Sequence, residues 1–102
     1  MEIWSCQRLS VHEKDLFIKC VKQWGLTSQI LILAEEASEL SVACLHSLRK
    51  KIKGIHYANN LIEEIADTEL MIDEIKYVLE LDDRVRRIRE RKIERLEEYL
   101  KK

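Results

Sequence analysis

Two short stretches of this sequence place acids inside otherwise apolar runs. In "LAEEASEL" (33–40), Glu35, Glu36 and Glu39 sit among Leu33, Ala34, Ala37 and Leu40, and in "LIEEIADTEL" (61–70), Glu64 and Asp67 repeat a three-residue spacing. A helix advances about 100° per residue, so each three-apart pair shares one helix edge. Glu36 and Glu39 lie close beside the stripe of Ile30, Leu33, Ala37 and Leu40, in line with Gln29, Ile32 and Ala43, while Glu35 turns further outward. Glu64 and Asp67 have Thr68, Met71, Ile75 and Val78 along their face. Carboxylates near a core are costly to bury without compensation, and four together require a positive charge between them. Carboxylate oxygens are hard ligands suited to Mg²⁺ or Mn²⁺.

The elements that must position these acids are helices. Proline is absent, glycine occurs twice, and Leu, Ile, Glu, Lys and Arg dominate, which predicts an all-α chain. Ser10 and Glu13 fit a capping box that opens a first helix ending at about Trp24, before Gly25, with Leu16, Phe17, Cys20, Val21 and Trp24 on its apolar face. Thr27 or Ser28 is the expected cap of a second helix over about 28–52, whose stripe is Ile30, Leu33, Ala34, Ala37, Leu40, Ser41, Cys44 and Leu48, and Gly54 closes it. Asn60 with Glu63 is the expected start of a third helix to about Glu80, striped by Leu61, Ile65, Thr68, Ile72, Ile75 and Leu79. "LDD" is expected to cap a fourth, basic helix over about 83–100, with Val85, Ile88, Leu96 and Leu100 facing inward. Residues 1–102 thus read as one domain: a small antiparallel four-helix bundle, with the motif core at about 28–80 and its core completed by a second copy of the chain.

The hairpin brings the two motifs together. Glu36 and Glu39 lie 15–18 residues before Gly54, and Glu64 and Asp67 lie 10–13 after it. Allowing for the turn, the pairs are near the same height on antiparallel helices. A di-iron carboxylate site is disfavoured, because it needs Glu-x-x-His and His12, His46 and His56 follow Leu9, Ala43 and Lys53 at that spacing. A solvated acidic face is the plainer reading of either motif alone, but two inward pairs at one level point to a metal site.

Composition excludes several other roles. The 18 basic and 19 acidic residues leave a net charge of −1, which argues against binding nucleic acid through total charge. Cys6, Cys20 and Cys44 form neither a CxxC nor an even set, so reduced thiols in a cytoplasmic protein are expected. No segment approaches the roughly 20 apolar residues of a membrane span, and the start "MEIWSCQRLS" has no apolar signal core. No His or Cys constellation supports nucleophilic catalysis.

The ordered pair of motifs, EE-x-x-E at Glu35, Glu36 and Glu39 followed by E-x-x-D at Glu64 and Asp67, resembles the signature of the MazG-like nucleotide pyrophosphohydrolases, a group of the all-α NTP pyrophosphatases. The resemblance covers about residues 12–100, including "WGLTSQ" and "RKIERL". It implies that Glu36, Glu39, Glu64 and Asp67 bind Mg²⁺ and that a nucleoside triphosphate is cleaved to the monophosphate and pyrophosphate. It also implies a homodimer or homotetramer whose sites lie near helices from both subunits. Ala66 stands where the family often has glycine. Glu35, Glu36 and Glu39 are the catalytic candidates, with the water-activating base open between Glu35 and a ligating acid. Phosphoribosyl-ATP pyrophosphohydrolase is a related alternative, and a non-catalytic helical dimer is another of a different class.

Substrate candidates surround this set. Lys92 interrupts the apolar line of Val85, Ile88, Leu96 and Tyr99, and Arg95 lies one turn on. Both are candidates for phosphate contacts, against the ordinary reading of stems on the core and charges in water. Trp24 and Gln29 flank the entry to the motif helix and are candidates for stacking on and hydrogen-bonding a base, although core packing is the commoner fate of a tryptophan. Trp4 is a candidate for closing the pocket or an interface.

Overall fold

A computed structural model describes residues 9–49 and 55–102, the side chains of 49 and 55–59 excepted. The fold is all-α, and the described residues form four helices: α1 (Val11–Trp24), α2 (Leu26–Arg49), α3 (Ile55–Val78) and α4 (Asp82–Lys101). The expected end of the second helix at Gly54 lies outside the described residues. α2 and α3 form the most extensive packing pair, and α1 packs on both. Among the described residues no helix is long and apolar enough to cross a membrane.

Local chemistry sets the helix ends. Ser10 and Glu13 form the expected capping box: Glu13 N–H donates to Ser10 Oγ (3.0 Å) and Ser10 N–H donates to Glu13 Oε1 (2.7 Å). Gly25 alone separates α1 from α2. Its N–H donates to the Val21 carbonyl (2.8 Å) and its carbonyl accepts from Gln29 N–H (3.2 Å), so the same residue closes one helix and opens the next. The expected cap at Thr27 or Ser28 is therefore corrected: both lie inside α2. Gly25 has φ +88°, and a Cβ built there would meet nothing within 4 Å, so glycine is favoured for backbone conformation rather than space.

α3 begins at Ile55, and Asn60, expected as its cap, lies within the helix. Its far end is a Schellman turn, in which Leu81 N–H donates to the Lys76 carbonyl and Glu80 N–H to the Tyr77 carbonyl. Glu80 occupies the left-handed position at φ 55°. Leu81 is then the N-cap of α4 without a side-chain cap bond, and Asp82 and Asp83 fall in the first helical turn. There their charge complements the helix dipole instead of capping it.

The core is small. Phe17, Ala43, Met71 and Ile75 are its buried apolar residues, joined by buried Gln29, Thr68 and Glu74. The line through Gln29, Glu36 and Ala43, expected at the edge of α2, is its packing face. Of the expected apolar stripe, Leu33 and Leu40 are half-buried, whereas Ile30, Ala34, Ala37, Ser41, Cys44 and Leu48 are exposed. On α1, Phe17 is buried as expected, whereas Leu16 and Trp24 are exposed. On α3, Thr68 and Ile75 are buried and Ile65 and Ile72 are not, and Leu79, expected on this helix, is exposed in the turn beyond it. Val85, Ile88, Leu96 and Leu100 of α4, expected to face inward, are all exposed. Periodicity identifies an apolar stripe but not which neighbour covers it.

Candidate functional site

The α2–α3 interface carries a polar line where a helix pair ordinarily places leucines. Glu36 comes from the middle of α2, and Glu64 and Asp67 from the middle of α3. One carboxylate oxygen from each lies within 4.8 Å of the other two. Glu36 and Glu64 are half-buried and Asp67 is exposed, so the cluster is open on one side. Thr68 bridges the two helices at this level, its hydroxyl donating to the Glu36 carbonyl at 3.2 Å.

The charged groups that shift the carboxyls of Glu36 and Glu64 are themselves acids. Burial pushes the Glu36 carboxyl above its ordinary value of 4.5, and Glu39, Asp67, Glu64 and Glu35 push it further in the same direction. Glu64 is raised from 4.5 first by burial and then by Glu39, Asp67 and Glu63. Glu36 Oε1 and Glu64 Oε1 are each shielded from solvent without a hydrogen-bond partner among the described residues. Two orphaned acceptors beside a third carboxylate form a donor set of hard oxygens, the arrangement that a divalent cation satisfies. The spacing fits as well. Oxygens about 2.1 Å from an octahedral ion lie roughly 3 to 4 Å from one another, within reach of the observed 4.8 Å spread after small side-chain adjustments.

The structure brings together three of the four carboxylates expected to bind metal. Glu39 is exposed and outside the triad, yet near enough to raise both Glu36 and Glu64. Glu35 is exposed on the outer side of α2. Lys92 and Arg95 are exposed on α4, apart from the α1–α3 packing. Trp24 is 60 % exposed at the end of α1. Trp4 lies outside the described residues.

Gln29 is in a different setting from the others. It is buried against Glu74, and both are 3 % exposed. With the amide turned to donate, its nitrogen lies 2.5 Å from Glu74 Oε2 and 3.2 Å from Oε1. The shorter distance is tight for N–H···O and ordinary for O–H···O. A protonated Glu74 donating to the Gln29 carbonyl therefore fits the opposite amide orientation equally well. Burial raises the Glu74 carboxyl above 4.5, which favours the protonated form. Glu74 and burial together raise the nearby Cys20 thiol, burial being the larger effect.

The sequence reading passed over Glu74. The signal was present as a seven-residue spacing, since Gln29, Glu36 and Ala43 on α2 and Asp67 and Glu74 on α3 each recur at two helical turns. Comparison with known proteins adds no relative: no family model, no curated protein and no solved structure matches this chain.

Proposed function

We propose that this chain is a Mg²⁺-dependent nucleoside triphosphate pyrophosphohydrolase, acting in the cytoplasm on the nucleotide pool and releasing a monophosphate and pyrophosphate. The observation that carries this reading is the convergence of Glu36, Glu64 and Asp67 within 4.8 Å, with two carboxylate oxygens shielded and unpaired among the described residues. Glu36, Glu64 and Asp67 would hold a divalent cation, Mg²⁺ or Mn²⁺ as its substitute, with Glu39 completing the acidic rim. Such a cation would neutralise charge on phosphoryl oxygens and orient a water. Glu35 and the ligating acids are the candidates to take the proton from the attacking water. The resemblance of the ordered EE-x-x-E and E-x-x-D motifs supplies the reaction class, and the carboxylate geometry supports the metal.

The same reading includes a homodimer or homotetramer. Its support is the row of apolar residues on α4, Val85, Ile88, Leu96 and Leu100, which are exposed. In such an assembly Lys92 and Arg95 on α4, and exposed Trp24, are available to contact phosphates and base across subunits.

The test is pyrophosphate release from canonical and oxidised nucleotides and from phosphoribosyl-ATP, with Mg²⁺ and with chelator. Asp67→Asn and Glu64→Gln should abolish release while helicity persists. Absence of release from every substrate at high protein concentration overturns the enzyme reading. The exposed apolar residues of α4 favour a second reading, a non-catalytic helical interaction module. Calorimetry separates the two, because a scaffold shows no Mg²⁺ binding that depends on these acids.

A further inference from the structure

Gln29 and Glu74 are buried, pair with each other, and take no direct part in the proposed chemistry. Their place along the helices gives them a role. Seven residues separate Gln29 from Glu36 on α2, and seven separate Asp67 from Glu74 on α3. The helices run in opposite directions, so each interval is two turns, about 10.5 Å of rise, measured from the same end. When Gln29 meets Glu74, Glu36 is level with Asp67, and Glu39 is level with Glu64.

Other contacts at this interface specify the alignment less strongly. Apolar side chains such as Leu33 and Met71 tolerate sliding, and a threonine hydroxyl can meet another backbone carbonyl one turn away. Three carboxylates converging within 4.8 Å also favour displacement when no cation is bound, because like charges repel. A slide of one turn, about 5.4 Å, exceeds the 4.8 Å spread of the carboxylate oxygens. That slide would set Gln29 against Met71 or Val78 and Glu74 against Leu26 or Leu33, leaving two buried polar groups without partners. We propose that Gln29 and Glu74 form a register lock: two positioning residues that hold α2 and α3 at the alignment in which Glu36, Glu64 and Asp67 converge. A buried polar pair used in this way contributes specificity of alignment more than stability.

The metal consequence of the lock rests on the proposed metal site, but the lock itself does not. Two readouts on the full chain separate them. Nuclear Overhauser contacts from the Thr68 methyl group report register, since its native neighbour is Glu36. Calorimetric titration with Mn²⁺ reports the site. In the Gln29→Leu/Glu74→Leu double variant, thermal stability should be kept or raised. Thr68 should gain contacts to Leu33 or Leu40, and Mn²⁺ affinity should fall about tenfold or more, as when an outer partner of a metal site is lost. Glu74→Gln, which can still hydrogen-bond Gln29, should restore the single native contact set and Mn²⁺ binding. A double variant with only native Thr68 contacts overturns the lock. If that variant does not fold, Glu74→Met read in the same way decides. A register change in the variants with no Mn²⁺ binding by the unaltered chain would leave the lock standing and overturn the metal reading alone.

Discussion

Adding Mg²⁺ to metal-free protein should raise its thermal stability, with a pH dependence set by the acidic cluster. In the fold, Glu36, Glu64 and Glu74 are held above 4.5 and Asp73 above 3.8, in each case chiefly by burial. The folded, metal-free chain therefore keeps protons that the unfolded chain releases. For groups shifted in this direction the stabilising contribution is complete below the unfolded value and is lost as pH rises through the folded one. Metal-free stability should decline from about pH 4.5 upward. A cation competes with those protons, so its effect should be slight near pH 4.5 and full near neutrality. At a concentration 100 times its dissociation constant, a ligand specific for the folded state stabilises by about 2.7 kcal/mol. For 102 residues, an unfolding entropy of about 0.21 kcal/mol/K converts this to a rise of roughly 13 °C. Scanning calorimetry at several pH values, with chelator and with Mg²⁺, measures both curves. Glu36→Gln should make the metal-free protein more stable at pH 7.5 and remove the Mg²⁺ response. Identical melting curves with and without 10 mM Mg²⁺ at pH 7.5, a dose chosen on the order of ten times a millimolar dissociation constant, would refute the cation site. A metal-free stability that rises over this pH range would refute the electrostatic reasoning.

Other perturbations test the packing around the site. Thr68→Val removes the hydroxyl that donates to the Glu36 carbonyl and should cost about 1 kcal/mol in urea unfolding, together with weaker metal binding. Phe17 is the buried residue of α1, so Phe17→Ala should cost about 3 to 5 kcal/mol and detach α1 first, seen as accelerated amide exchange over 11–24. Ile88→Glu with Leu96→Glu places charge on the exposed apolar face of α4. In sedimentation equilibrium this pair should shift the protein toward the monomer while leaving the helicity of α1–α3 intact.

Much of the helical plan could be read locally. The capping box at Ser10, the stop at Gly25 and the start of α4 beside Asp82 involve residues a few positions apart, where chain geometry alone sets the outcome. The level placement of Glu36 with Glu64 and Asp67 was also legible, because it follows from counting along two antiparallel helices. Facing was harder. On α2 the apolar residues Ile30, Leu31, Val42, Leu45 and Leu48 are exposed, while Gln29 and Ala43 are buried and Glu36 is half-buried. A rule that turns the apolar arc inward is right for Leu33 and Leu40, which are half-buried, but misses that Gln29 and Ala43 are the most buried residues of this helix. Glu74 was missed for the same reason, being a carboxylate that sequence patterning assigns to solvent.

The burial of these polar residues bears on how the chain is assembled. A helix pair that gives its shared face to Gln29, Glu36, Thr68, Asp67 and Glu74 forgoes much of the hydrophobic stabilisation that would normally hold it. Phe17 and Ile75, with α1 laid across the pair, supply part of the remainder. In the proposed assembly the rest comes from the outward faces of α2 and α3 and from α4, whose Ile88, Leu96 and Leu100 are exposed. Under the proposed reading these properties share a cause. An interface reserved for a cation leaves the apolar surface on the outside, and a second copy burying that surface stabilises a polar interior that a monomer could sustain only weakly.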